Sequence, residues 1–210
     1  LLFIDTLTTS IMKIFLFSLI PFIFYLFTRR TREGFLGYLG FFKPPAFGLK
    51  MGIMSAPLLI ILGFSSALWP EFREIMISSG PVLGEFKNSG SGIIVVISIF
   101  LAAVFKIALA EEVLFRGFLA RELINRLGFA SGNAIQAFLF GISHVLWFHF
   151  SPGEMEISSL FLSAIFIGNC LVGYILGYLQ VLAGRGSIIP NWISRSLTNL
   201  IAFLILIFYY

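Results

Sequence analysis

GIIVVISIFLAAVFKIALAEEVLFRGFLARELINRL, residues 92–127, decides the fold of this chain. The eighteen positions after Gly92 carry no charge except Lys106, and Glu111 and Glu112 then follow directly. About 18 apolar residues are enough for a helix to cross the roughly 30 Å hydrocarbon layer of a bilayer. The second half of the stretch is amphipathic and carries both signs of charge, and Gly128 ends it. A charge at the centre of a spanning helix costs at least a few kcal/mol, so it faces the protein interior and finds a partner. The quoted stretch therefore predicts one long helix that carries charge into the middle of a helix bundle.

Five further apolar runs lie around it, at about 9–28, 50–69, 133–150, 157–182 and 188–210. The predicted fold class is all-α: a polytopic membrane helix bundle with about six transmembrane helices. Arg29, Arg30 and Arg32 stop the first run. That run lacks a small-residue cleavage pattern and reads as a retained span. Residues 34–50, with Gly37, Gly40 and Pro44-Pro45, read as an interfacial or re-entrant connector. Residues 70–91 read as a solvent loop with one short surface helix. Ser131 is placed to cap the fourth helix, and Ser151-Pro152-Gly153 to turn the chain after it. Gly173 and Gly177 stand at the GxxxG spacing of close helix packing. Ser163, Asn169 and Gln180 are expected to bond between helices. No repeat or linker divides the chain, so residues 1–210 read as a single membrane domain.

Composition agrees: 59% of the 210 residues are hydrophobic and 11% are charged, and the mean hydropathy is +1.01. A soluble domain of this size needs far more polar surface. The net charge of +4 follows membrane orientation and implies no nucleic-acid partner, because the basic residues gather in short loops. With six spans, Arg29, Arg30, Arg32, Lys43, Lys50, Arg121, Arg126 and Arg185 fall on one side and only Arg73 and Lys87 on the other. The positive-inside rule places the first group in the cytoplasm and both termini outside. A lone cysteine, Cys170, excludes a disulfide framework. His144 and His149 are five apart and there is no HExxH, so no metal site and no cofactor are expected.

The chemistry-bearing residues converge. Glu112 and Arg116 are four apart, in the favourable acid-then-base order. Glu111 is turned about 100° away from Glu112 by the helical period and can face a different space. Glu111 precedes Gly128 by 17 residues and His144 follows it by 16, so two antiparallel helices bring these side chains level. Gln136, Phe140 and His144 share one face at four-residue spacing. Arg195 and Asn199, four apart, add a third helix and stand roughly level with the others when counted from the cytoplasmic loop. A glutamate and a histidine at one depth can activate a water molecule, and they can equally lock two helices together.

These residues resemble the CAAX prenyl protease and bacteriocin-processing (Abi) membrane family. Glu-Glu-Val-Leu-Phe-Arg, 111–116, is similar to its EExxxR motif, and Phe140 to His144 to its FxxxH motif. The Gly186 to Asn199 segment looks like its third motif, and the likeness covers about residues 100–205. The resemblance implies a metal-independent endopeptidase cutting peptide or membrane-protein segments at the membrane. It implies that Glu111 and His144 activate the water, Glu112 and Arg116 support them, Phe140 lines the pocket and Asn199 binds the oxyanion. Arg195 stands where the family usually has a second histidine. An arginine can donate to an oxyanion, or it can clamp a glutamate and silence it. Two functional readings follow: an intramembrane peptidase with activity impaired by Arg195, or a non-catalytic scaffold or chaperone subunit of a larger membrane complex. A prokaryotic cytoplasmic membrane is expected, with the polar cluster opening toward the cytoplasm.

Overall fold

A computed structural model describes residues 1–28, 34–78, 83–90, 92–150 and 157–209, without the Ser78 and Glu85 side chains. Arg29, Arg30, Arg32 and the turn expected at Ser151-Pro152-Gly153 lie outside the described residues. Helix α1 spans Leu2–Thr28 and the short α2 spans Gly34–Tyr38. Helix α3 runs Ala46–Phe64 and tightens into a 3₁₀ turn at Ser65–Leu68. Two short helices follow, α4 Pro70–Ser78 and α5 Leu83–Lys87. The remaining long helices are α6 Ile93–Leu127, α7 Phe129–Phe150, α8 Ser159–Ala183 and α9 Ile189–Phe208. Among the described residues there is no strand, and six helices are long and apolar enough to cross a membrane. The chain is a polytopic integral membrane protein.

Boundaries differ from the sequence reading in ways that have local causes. α1 starts at Leu2 rather than near residue 9, because Asp5 and Thr6 fit its first turns and the Thr6 hydroxyl donates to the Leu2 carbonyl at 2.8 Å. α7 starts at Phe129, so Ser131 lies inside the helix instead of capping it. Gly128 makes this abrupt restart feasible by taking φ +78°, a left-handed value that penalises a side chain. Its N–H also closes α6 by donating to the Ile124 carbonyl at 3.0 Å. The 70–91 connector holds two short helices, not one.

The bundle has two lids. At one end Gly40, at φ +90°, ends α2 with paired bonds, Gly40 N–H to the Gly37 carbonyl and Phe41 N–H to the Leu36 carbonyl. The connector then folds under the turn between α8 and α9. Ile188 N–H donates to the Gly40 carbonyl at 3.1 Å, and the Ser187 hydroxyl donates to the Phe42 carbonyl at 2.7 Å. Ser187 and Ile188 are fully buried as a result. The Tyr38 hydroxyl meets Glu122 at 3.2 Å near the end of α6, so these three connectors share one face of the bundle. At the other end α4 and α5 pack Ile75, Met76, Leu83 and Phe86 against Phe161 of α8 and Phe203 and Leu206 of α9.

Backbone contact draws the helices together where glycine permits it. A Cβ on Gly48 or Gly52 would sit 2.6 Å from the carbonyl oxygen of Ala183 or Pro190, so α3 lies directly against the α8–α9 turn. On the other side of α8, Gly173 lies 3.0 Å from Ala137 Cα by the same measure, and Gly177 faces the Asn133 side chain. Asn133 donates to the Tyr174 carbonyl at 3.0 Å, and Gln136 to the Gly173 carbonyl at 2.8 Å. These bonds replace hydration that the hydrocarbon cannot provide. Gln180 bonds across to the Arg116 carbonyl at 3.0 Å. Asn169 and Ser163 instead bond within α8, to the carbonyls one turn earlier. A short polar side chain in a helix reaches its own backbone more readily than a neighbouring helix.

Candidate active site

The α6 backbone changes its winding on both sides of the double glutamate. Ala102–Leu109 and Val113–Ala120 are π-helical, and only Ala110–Glu112 between them is α-helical. Each π bond spans one residue more than an α bond and alters which side chains stack, a feature found often at functional sites. Glu111 and Glu112 consequently point to separate partners. Both are buried.

Glu112 meets Arg116, with Oε1 3.3 Å from Nη1, and both side chains are sealed from solvent. The two groups are close enough to pair, but they lack hydrogen-bond alignment: neither Glu112 oxygen has a hydrogen-bond partner among the described residues. The π winding between them displaces the ideal one-turn stacking. Arg116 is held from elsewhere as well. Its guanidinium lies 4.3 Å from the Phe140 ring centroid, and Nη2 reaches the Gly173 carbonyl at 3.5 Å.

Glu111 has three neighbours from three other helices. Arg195 of α9 donates from Nη2 to Oε2 at 2.6 Å. Lys13 of α1 donates from Nζ to Oε1 at 3.3 Å. His144 of α7 places Nε2 4.0 Å from Oε2. The other imidazole nitrogen, Nδ1, is 2.9 Å from the Phe140 carbonyl. A carbonyl only accepts, so Nδ1 carries the proton, and in the neutral ring Nε2 presents its lone pair toward Glu111.

Phe140 is the platform of the cluster. Fully buried, it lies 5.2 Å from the Arg195 guanidinium and 4.5 Å from the His144 ring, and it meets Phe115 edge-on at 4.9 Å. A guanidinium over an aromatic face gains attraction from the ring quadrupole, worth about 2 kcal/mol where water is excluded. One ring thus positions both arginines. Asn199 is buried one turn beyond Arg195, and its Nδ2 has no hydrogen-bond partner among the described residues.

The structure therefore gathers Glu111, His144 and Arg195 around one carboxylate, sets Glu112 and Arg116 beside them over Phe140, and leaves Asn199 on the same face of α9 as Arg195. Lys13 was not singled out in the sequence, although it is the only charge in the 9–28 run and an intramembrane lysine demands a partner. Among the described residues no group of three His, Cys, Asp or Glu side chains could hold a metal ion.

Arg195 reaches this site because α9 begins deep in the protein. Counting inward from the lid side, Arg195 is only six residues from Ile189, about 9 Å, whereas Glu111 is sixteen from Leu127, about 24 Å. Counted from these helix ends the two stand apart, whereas the sequence reading set them roughly level. The buried α8–α9 turn, held under the connector after α2, makes up the difference.

No curated protein and no solved structure matches the chain. Residues 90–201 match the family described as Type II CAAX prenyl endopeptidase Rce1-like. The match spans α6 to α9 and contains every cluster residue except Lys13. It bears out the resemblance seen in the motifs, and the chain belongs to the Rce1-like family of type II CAAX prenyl endopeptidases.

Proposed function

We propose that the pocket is an endopeptidase-type site for peptide segments at the membrane, held in a low-activity state by Arg195. The observation that carries this reading is the 2.6 Å bond from Arg195 to Glu111. Glu111 and the His144 Nε2 lone pair are both acceptors, and a water beside them can give one hydrogen to each. Glu111 then takes the proton as the water attacks the peptide carbonyl. Glu112 and Arg116 hold the α6 backbone and the Phe140 platform in place, and Asn199 Nδ2 is free to receive the developing oxyanion. Arg195 opposes the first step. Its hydrogen bond occupies Oε2, the Glu111 oxygen nearest His144.

The site serves a substrate entering from the cytoplasmic side of a prokaryotic membrane, in line with the loop charges. A second reading rests on the same clamp. With Arg195 on Oε2 and Lys13 on Oε1, Glu111 acts as a structural anchor, and the fold is a non-catalytic scaffold for partner subunits.

Proteolysis in liposomes separates the two. Arg195→His is expected to raise hydrolysis of membrane peptides at least tenfold over the wild type. Glu111→Ala in that background is expected to lower it by about 10²- to 10⁴-fold, the usual contribution of a general base. A folded Arg195→His protein without hydrolysis would favour the scaffold. Activity that survives loss of Glu111 would remove its assigned role.

A further inference from the structure

Helix α1 is fastened firmly at one end only. After Pro21, Phe24 meets Phe118 of α6 edge-on at 5.1 Å, and Tyr25 lies 5.4 Å from the Tyr38 ring of the lid. Both pack against the cluster of Tyr38, Leu39, Val113, Phe118 and Ile188. Before Pro21 the helix is nearly bare. Thr6 and Ser10 are the buried residues there, and their hydroxyls donate to carbonyls of α1 itself, those of Leu2 and Thr6. Within this arm, Leu2 at the tip packs against a core cluster. Apolar contact holds such an arm weakly, because lipid tails are as apolar as the neighbouring helix.

Lys13 supplies the polar tie. Among the described residues, its bond to Glu111 Oε1 at 3.3 Å is the one side-chain hydrogen bond from residues 1–20 to another helix. Its Nζ also lies 5.8 Å from the exposed Trp147 ring of α7. The Lys13 side chain is 24% exposed and that of Glu111 behind it 10%, so Lys13 screens the carboxylate from the bilayer. Pro21 separates this arm from the anchored end. A proline has no N–H, so the Phe17 carbonyl one turn earlier lacks its helical bond. Long helices bend at such points.

We propose that residues 2–20 of α1 form a lateral gate over the buried cluster, hinged at Pro21 and latched by the Lys13–Glu111 ion pair. When the arm swings outward, a seam opens between α1 and α7 and the cluster faces the bilayer. Opening separates Lys13 from its carboxylate in an apolar medium, which keeps the closed state dominant. The gate regulates the pocket of the endopeptidase-type function proposed above and gives membrane-borne segments a second way in. Its motion does not require hydrolysis.

Distances between nitroxide labels on the full chain in nanodiscs test this, in a Cys170→Ala background. One pair, Ile4→Cys with Leu160→Cys, reports the arm, and a second, Phe27→Cys with Leu182→Cys, reports the anchored end; all four positions are exposed. Lys13→Gln breaks the latch and also removes the cost of a charge in the open state. It is expected to add an arm distance longer by about 5 Å, half the width of a helix, and to leave the second pair unchanged. Glu111→Gln, which breaks the tie from α6, is expected to shift the arm in the same direction. Adding Pro21→Ala to Lys13→Gln is expected to shrink the shift. An unchanged arm distance in folded Lys13→Gln, an equal shift of both pairs, or a shift undiminished by Pro21→Ala would overturn the proposal. Because no readout measures cleavage, a failed proteolysis assay would leave this result intact, and the converse also holds.

Discussion

Glu112 and Arg116 show how much depends on single side chains in this protein. Both are fully buried and their pairing lacks hydrogen-bond alignment, so removing either partner strands the other charge. Glu112→Ala is expected to destabilise the fold by about 3–5 kcal/mol in denaturant titrations in detergent. Replacing both together, as Glu112→Leu with Arg116→Met, is expected to recover most of that loss, because no uncompensated charge remains. The gain in hydrolysis expected of Arg195→His belongs to the same scale: in the proposed site one side chain governs whether Glu111 serves as a base. These residues were legible as a set because each charge interrupts an apolar run. The identity of the partner was less legible. Lys13 lies outside the motifs, and its reach to Glu111 depends on the path of α1 beside α6.

At the scale of the elements, close backbone approach contributes more than side-chain hydrogen bonding. Gln136→Leu removes the bond to the Gly173 carbonyl, and interhelical bonds in membranes average about 0.6 kcal/mol, so a loss near that value is expected. Gly52→Val places a side chain against the Pro190 carbonyl, a backbone atom with nowhere to move. The cost there is expected to be about 1–3 kcal/mol. Thermal unfolding of the two variants in one detergent checks the order, and a larger loss for Gln136→Leu would contradict it. Because Pro190 begins the helix that carries Arg195, Gly52→Val is also expected to change hydrolysis by the Arg195→His protein. The Gly173–Gly177 spacing was readable in the sequence. Gly48 and Gly52 have that spacing too, but their partner is an irregular turn, which helix periodicity does not reveal.

For the whole molecule, the connectors that carry most of the positive charge lie on one face, joined by the Gly40–Ile188 and Tyr38–Glu122 bonds. That face is expected to be cytoplasmic. In a Cys170→Ala background, Lys43→Cys should react with an impermeant thiol reagent only from inside, and Lys87→Cys only from outside. The opposite pattern would invert the topology and move the proposed substrate side with it. α1 is the element least integrated into the molecule: among its residues only Thr6, Ser10 and Pro21 are buried. Its link to the site through Lys13 therefore rests on a helix that mostly faces lipid.

The sequence by itself determined that the chain crosses a membrane six times and carries glutamate, arginine and histidine into its interior. Those conclusions follow from run length and from the cost of charge in hydrocarbon, which are local and do not depend on packing. It also brought Glu111 level with His144, because two helices joined by one tight glycine turn rise at the same rate. Only the tertiary structure decided that Arg195 bonds Glu111 rather than Glu112. The turn before α9 is buried about 15 Å deeper than equal counting allows, and long-range contacts with the connector after α2 hold it there. The same long-range packing brings Lys13 to Glu111 and leaves Asn199 Nδ2 without a hydrogen-bond partner among the described residues, since helix register is written in the chain while the depth and tilt of one helix against another are not.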